Sequence, residues 1–407
     1  MPISVPQRIL VAPSGFKESL DADSVASAIC AGIRRTLPGV RIDVAPIADG
    51  GEGTARILAD AAGGRLHERT VTGPTGLPVR AQWAEIGPRD SRTAVVEMAS
   101  AAGLSLVPRD QRDPGATTTY GVGELIVAAL DAGVSRILVG CGDSGTCDGG
   151  AGALQALGAR ILDADGREIG TGGYELAFAR GLDTSGIHPR LAEVEVVLAC
   201  NPHNVLTGPQ GVARVFGPQK GASPEQVQEL SDALDNWAAV LECHADAPGA
   251  DLRTGMGTGV SGGLGAGLAG GIGAVLRSRF DALLDSGLSG IDLDRRIRKA
   301  DLVITAEGSI DFQTPHGKVP AEVARRAQRH GVPVLALAGS LGEGAPSVHD
   351  VGIAAIAAII AVPMPLSEAV ANGAELLADA AERTMRMILL GGAVSARSGH
   401  KRRKKAS

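Results

Sequence analysis

The sequence predicts an α/β protein of two domains. A Rossmann-like parallel-sheet domain is formed by both chain ends, with a second α/β domain inserted between them. Three observations predict this. Apolar strand-like runs alternate with helix-period segments near both ends, the pattern of a parallel sheet covered by helices. That alternation lapses in the middle, where extended segments and glycine-rich stretches take over. At 407 residues the chain also exceeds what one ordinary core encloses. The expected boundaries are 1–72 with 290–390 for the first domain, 73–289 for the insert, and 391–407 for a basic disordered tail.

The elements follow in order. Arg8-Ile9-Leu10-Val11-Ala12 is a β-rich run that stops at Pro13. Ser19 to Leu37 has helical periodicity through Leu20, Val25, Ile29 and Ile33, with Ser19 or Asp21 as its cap. Arg41 to Pro46 is a second strand and Ala55 to Ala62 a second helix. From about Val71 helix is sparser: Thr70–Trp83 and Thr93–Met98 read as extended, with turns at Gly73-Pro74 and Gly87-Pro88. Ile137–Gly140 and Val194–Ala199 are apolar runs of the kind buried in a sheet. Leu302–Thr305 is a buried strand leading into a polar loop. Ala321–His330 is helical, with Arg325, Arg326 and Arg329 on its wet side. Val332–Gly339 and the run from Ile353 are strands, and Leu366–Leu389 holds the last helices.

Composition excludes several function classes. Net charge is −6 and aromatics are 2% of the chain, so the body offers neither a basic face nor stacking platforms for nucleic acid. The basic segment Ser395–Ser407 reads as a solvated tail. Met1–Gln7 lacks the charged start and apolar core of a signal peptide. The apolar run Ile353–Met364 is too short to span a bilayer. The five cysteines are widely spread with no C-x-x-C pair, and read as free thiols packed in the core in a reducing compartment. A cytoplasmic protein with no nucleic-acid or membrane partner is expected, with a homodimer allowed.

Ala48-Asp49-Gly50-Gly51-Glu52-Gly53-Thr54 is the most informative stretch. It stands at a strand-to-helix turn, where glycines let backbone N–H groups approach an anion and two acids suit a cation such as Mg²⁺ bridging phosphates. Ala12–Leu20 places Lys17 just before a helix start, either as an anion-binding lysine or as a surface lysine beside the capping Ser19. Thr305–Lys318 gathers Glu307, Asp311, Gln313, Thr314 and Lys318 after a buried strand. It is not a Walker A loop: Phe312 stands at the first glycine position and Val319 at the hydroxyl position. His316 reads as a solvated loop histidine. Gly140–Gly150 offers hydroxyls and backbone donors in a glycine nest, with Asp143 and Asp148 as ligands or turn residues. Phe216–Gly221 presents Lys220 in a tight turn. Gly257–Gly262 matches G-x-G-x-x-G, but Asp251–Thr254 before it is polar rather than strand-like, so close helix packing or a phosphate-facing loop is favoured over NAD binding.

Taken in order, these clusters resemble the bacterial ATP-dependent glycerate kinases that make 2-phosphoglycerate, over about Ile9 to Ile388. Ala12–Leu20 is similar to that family's Ala-Pro-Asp-Ser-Phe-Lys-Glu-Ser-Leu. Ala48–Thr54 and Phe216–Gly221 match intact, Tyr120–Ile126 looks like its Gly-Thr-Gly-Glu-Leu-Ile segment, and Thr305–Lys318 is similar to Thr-Gly-Glu-Gly-x-x-Asp-x-Gln-Thr…Gly-Lys. There are four departures: Ser14-Gly15 for Asp-Ser, Asp143 for a Gly, Asn201–Val205 for Asp-Val-Asp-Asn-Pro, and Ala306 for a Gly. The carboxylate lost at Ser14 and the one gained at Asp143 either compensate or mark a related polyhydroxy acid as substrate.

The resemblance implies ATP and Mg²⁺ as cofactors and glycerate as the phosphoryl acceptor in organic-acid catabolism. A related hydroxy acid or sugar acid is the alternative, and a Rossmann oxidoreductase the more distant one. The implied catalytic set is Asp311 as first choice of proton acceptor, Asp49 as second, and Lys17. Glu52 and Glu307 are the expected metal ligands. Ser14, Ser144, Asp148, Lys220, Gln313, Thr314 and Lys318 are expected around substrate and phosphates. The site is expected at the carboxyl ends of the strands, with domain closure excluding water.

Overall fold

The computed structural model describes residues 5–16, 19–244, 251–288 and 290–406. The chain forms two compact units, Met1–Ile47 with Asp292–Ser407, and Ala48–Ile291.

The first unit holds a five-stranded sheet in the order Ile353–Ala358, Val334–Leu341, Leu302–Ile310, Arg8–Val11, Arg41–Val44, with every neighbour pair parallel. Chain order reverses between Arg8–Val11 and Leu302–Ile310. That is the switch point outside whose carboxyl ends doubly wound sheets bind ligands. Ile9, Val11, Ile304, Leu335 and Leu337 from the strands pack with Ile29, Ile33, Leu377 and Met385 from the helices. Helix Ala22–Thr36 is capped by Asp21, whose carboxylate accepts from Ser24 N–H at 2.7 Å. It lies directly on helix Gly373–Ala406: a Cβ at Gly32 would stand 2.1 Å from the Ala378 carbonyl oxygen.

The second unit holds a six-stranded sheet in the order Val275–Ser278, Glu195–Cys200, Arg136–Gly140, Thr93–Glu97, Pro78–Ile86, Arg65–Thr72. The first four are mutually parallel and the last two join antiparallel. Side chains alternate across this sheet. Val96, Ile137, Val139 and Leu198 face one core with Leu125, Leu154, Leu234, Trp237 and Leu264. Val95, Leu138 and Val197 face another with Leu58 and Leu283. The carboxyl ends of the four parallel strands carry Glu97, Gly140-Cys141, Cys200-Asn201 and Ser278-Arg279.

The structure corrects five expectations. The first boundary falls after Ile47 rather than at 72, because Arg65–Thr72 pairs antiparallel with Pro78–Ile86 and is bound into the second sheet. Leu302–Ile310 continues as strand through Glu307, held by pairing with Val334–Leu341. Arg326 is buried rather than wet, because Glu322 at 2.7 Å and Asp294 at 3.0 Å accept from its guanidinium. Cys243 is exposed, while Cys30, Cys141, Cys147 and Cys200 are buried, and all five are free thiols. Helix Gly373–Ala406 runs through most of the segment expected to be a disordered tail. Its start is packed, and Ala, Arg and Lys propagate a nucleated helix readily.

Candidate functional site

The acid–glycine stretch lies across the carboxyl ends of the second sheet, and glycines on both sides permit the contact. A Cβ at Gly140 would stand 2.9 Å from the Gly50 carbonyl oxygen, and one at Gly142 2.7 Å from Gly51 Cα. A Cβ at Gly51 would meet Asp143 Oδ2 at 2.2 Å. Asp143 reaches this place with φ of 54°, a left-handed conformation that asparagine and aspartate tolerate better than most residues. The Glu52 N–H donates to Asp143 Oδ2 at 3.1 Å, and the Gly51 N–H to Asp49 Oδ1 at 2.9 Å. Arg279, at the end of the neighbouring strand, donates to the Asp49 carbonyl oxygen at 3.0 Å and stands 3.9 Å from its carboxylate. The same guanidinium lies over the Phe280 ring, 5.0 Å from its centre.

Glu97 lies beneath this loop and is 2% exposed. Gly53 N–H donates to Oε1 and Ala55 N–H to Oε2. Burial pushes its carboxyl up to about 7; these N–H groups oppose the shift, and the charges of Glu52 and Asp143 add to it. Burial and then Asp143 also push Glu52 up.

Further along the unit, Ser144 and Lys220 meet, but in a buried arrangement. Lys220 is 4% exposed, and its Nζ donates to Ser144 Oγ at 2.8 Å and to the Thr146 carbonyl oxygen at 2.7 Å. Asp148 is fully buried. It accepts from Thr119 N–H at 2.7 Å, Thr119 Oγ1 at 2.8 Å, Gly150 N–H at 3.2 Å and Gly152 N–H at 3.3 Å. Burial raises its carboxyl pKa, and those donors oppose the rise. Asp148 therefore ties the start of helix Tyr120–Asp131 to the glycine nest. The Gly257–Gly262 match enters helix Val260–Ile272, where a Cβ at Gly267 would stand 2.3 Å from the Gly149 carbonyl oxygen. Close packing is what these glycines permit.

In the first unit, Ser14 follows the first strand, and its N–H and Oγ both donate to the Ala306 carbonyl oxygen, at 3.0 and 3.1 Å. Ser14 thus joins the two strands at the switch point. Beyond Ala306, Lys318 Nζ reaches both oxygens of Asp311 at 3.3 Å, the Ser309 carbonyl oxygen at 3.2 Å and Glu307 Oε1 at 3.8 Å. The Asp311 loop is self-braced. Gln313 N–H donates to Asp311 Oδ1 at 2.9 Å, and Asp311 N–H donates to Thr314 Oγ1 at 3.0 Å. Thr314 is fully buried, so its hydroxyl positions Asp311.

The expected residues therefore fall into two groups. Ser14, Glu307, Asp311, Gln313, Thr314 and Lys318 belong to the first unit; Asp49, Glu52, Ser144, Asp148 and Lys220 belong to the second. Lys17 lies outside the described residues. Among the described residues, no three His, Cys, Asp or Glu side chains gather as a ready-made metal cage. Mg²⁺ is commonly held by only one or two carboxylates beside substrate phosphates, and the oxygen donors at Glu52 fit that mode. Glu307, beside an ammonium, fits it less well. Sequence reasoning passed over Glu97 and Arg279. The signal for Glu97 was an acid closing the apolar run Ala94-Val95-Val96, where a buried carboxylate needs a reason.

The family model described as Glycerate kinase family matches residues 9–389. A "Glycerate kinase" of Bacillus subtilis is 46% identical, over 94% of this chain and 96% of its own. A "Glycerate 2-kinase" of Escherichia coli is 42% identical, over 89% and 93%. A crystal structure of a putative glycerate kinase 2 from Salmonella typhimurium superposes with a TM-score of 0.73 at 42% identity, covering 95% of this chain and 99% of that one. With the match running through both sheets, the chain belongs to the glycerate kinase family and is a kinase.

Proposed function

We propose that this enzyme transfers the γ-phosphoryl group of Mg·ATP to the 2-hydroxyl of glycerate, as a cytoplasmic step of organic-acid breakdown. The observation that carries the reading is the Glu307–Lys318 loop at the switch point: a carboxylate and an ammonium held together at the carboxyl end of a buried strand, within a family match running almost end to end. The names of the relatives at 46% and 42% identity support glycerate as acceptor and the 2-position as the site of transfer.

Phosphoryl transfer asks the protein for positioning and charge neutralisation more than for covalent help. Asp311 accepts the proton of the attacking hydroxyl, with Asp49 as the second choice. Thr314 Oγ1 holds the Asp311 backbone N–H, and the Gln313 N–H and Lys318 hold its carboxylate. Lys318 and Lys17 neutralise phosphate or the substrate carboxylate. Glu52 would hold Mg²⁺, which supplies charge neutralisation for the phosphates when bound. Ser144, held by Lys220, offers a hydroxyl beside the glycine nest.

A second acid as substrate is favoured by one observation. Asn201–Val205 departs from the family pattern directly after strand Glu195–Cys200, where Asn201 Oδ1 accepts from His203 N–H at 3.1 Å. The deciding experiment measures ADP release from Mg·ATP with D-glycerate, L-glycerate and a panel of C4–C6 aldonates, with product assignment by phosphorus NMR. Fastest turnover on a glycerate giving the 2-phosphate supports the proposal. Preference for an aldonate moves the reading to a sugar-acid kinase, and 3-phosphoglycerate as product overturns the regiochemistry.

A further inference from the structure

The acid–glycine loop looks, from sequence, like an anion receptor: glycines, then the start of a helix whose first N–H groups are unpaired within the helix. In the structure those donors already have acceptors. Gly50 N–H donates to Thr54 Oγ1 at 3.0 Å, Gly51 N–H to Asp49 Oδ1 at 2.9 Å, and Glu52 N–H to Asp143 Oδ2 at 3.1 Å. Gly53 and Ala55 donate to the two oxygens of Glu97. The anion at the start of helix Thr54–Ala62 is thus the protein's own carboxylate, supplied from the end of strand Thr93–Glu97. With its amides turned onto Glu97 and Asp143, the loop offers its side chains instead: Glu52 is exposed and Asp49 half-exposed.

We infer that Glu97 is a positioning residue of the kinase site, holding the Asp49–Thr54 loop by two N–H groups so that Asp49 and Glu52 stand at the carboxyl ends of the parallel strands. The inference rests on the reading of this loop as part of the phosphoryl-transfer site. Its anchor is rigid. Glu97 closes the all-buried strand Thr93–Glu97 and pairs in register with Gly140. Gly140 in turn lies against Gly50, so a carboxylate at 97 meets the loop at a fixed height. Two acceptors are needed, one per N–H. A glutamine would aim its NH₂ at one of those N–H groups, and an aspartate, one methylene shorter, would not reach both. Either change lets the loop shift while the sheet stays in place. A displacement of about 1 Å in a catalytic group lowers turnover by on the order of 10²-fold.

The test uses full-length wild type, Glu97→Gln and Glu97→Asp. Steady-state kinetics are run with Mg·ATP and whichever acid wild type phosphorylates. Thermal melting and hydrogen exchange of the 48–58 segment are measured in parallel. The expected result is a fall in kcat of at least about 10-fold in each folded variant, with KM for ATP within about 3-fold of wild type. Exchange at the Gly53 and Ala55 amides should be at least about 10-fold faster, while helix Tyr120–Asp131 keeps its protection. Wild-type kcat in either folded variant, or unchanged exchange at those two amides, overturns the inference. So does failure of both variants to fold, which would assign Glu97 to stability alone. If wild type phosphorylates no acid, the functional proposal fails on that result, and the exchange measurement still decides whether Glu97 holds the loop.

Discussion

Two acid-bearing loops, one in each unit, hold their carboxylates by different means. In the loop after strand Leu302–Ile310, Asp311 and Glu307 share the Lys318 ammonium. In the loop around Asp49–Thr54, Glu97 is held by backbone N–H groups and crowded by Glu52 and Asp143. An ammonium neutralises a carboxylate by full charge at short range. Amide dipoles stabilise it less, and burial together with like charges works against them. The first arrangement therefore places two acids around one ammonium at the switch point. The second carries a buried carboxyl, Glu97, pushed up to about 7 beneath a glycine loop.

Mutations can break each side of this comparison. The largest effect is expected at Asp311. Asp311→Asn keeps the turn shape but removes the proposed proton acceptor, and should lower kcat at least about 10²-fold in the ADP-release assay. Turnover within about 3-fold of wild type would remove Asp311 from the chemistry and leave Asp49 as the acceptor.

Next comes the stability of the second loop against pH. Because the folded-state value of Glu97 is raised, the native protein keeps a proton that the unfolded chain has released. Its contribution is fully present below the unfolded value of about 4.3. It is lost as pH rises to about 7, and stays lost above that. The loss is on the order of 3 kcal/mol when complete. Denaturant unfolding between pH 4 and 8, with chelator present, should show Glu97→Gln lacking this component. Parallel curves for variant and wild type would mean that Glu97 does not titrate in this window.

The smallest effect sharpens the comparison at Asp143. Both Asp143→Gly and Asp143→Ala delete the carboxylate beside Glu52, but only glycine adopts φ of 54° without strain. The glycine variant should be more stable than the alanine variant by about 1 kcal/mol in urea unfolding. Equal stability would show that the Asp143 backbone relaxes once its side chain is gone. In both variants Glu52 should titrate lower than in wild type, because one of the causes raising it is removed.

Much of the first unit was legible. The runs at Ile9, Leu302, Val334 and Ile353 are continuous and apolar because a parallel sheet is covered on both faces, so their character survives in sequence alone. Asp21 as cap could be read from its place before the helical period. The Glu307–Lys318 group was legible as a cluster because its members are close in sequence, and the structure brings Asp311, Glu307 and Lys318 together. The second unit was harder to read. Glu97 and Arg279 are distant in sequence from the loop they hold, and neither sits in a motif. Arg326 was expected on a wet face because helical period locates it there only if nothing packs over it; Asp294, from a separate helix, does. Lys220 and Asp148 were recognisable as unusual, but a sequence does not distinguish a charge turned toward a ligand from one turned inward onto the backbone.

By itself the sequence determined the α/β class, the alternation that builds the first sheet, and the family. These properties depend on local period, composition and the order of short motifs, all of which are written along the chain. Only the tertiary structure decided which charges are available. It turned Lys220 and Asp148 inward, joined Asp311 to Lys318, and filled the start of helix Thr54–Ala62 with Glu97. The physical reason is that a buried charge must find its partners. Those partners come from strands and helices far apart in the sequence, brought together only when the sheets form.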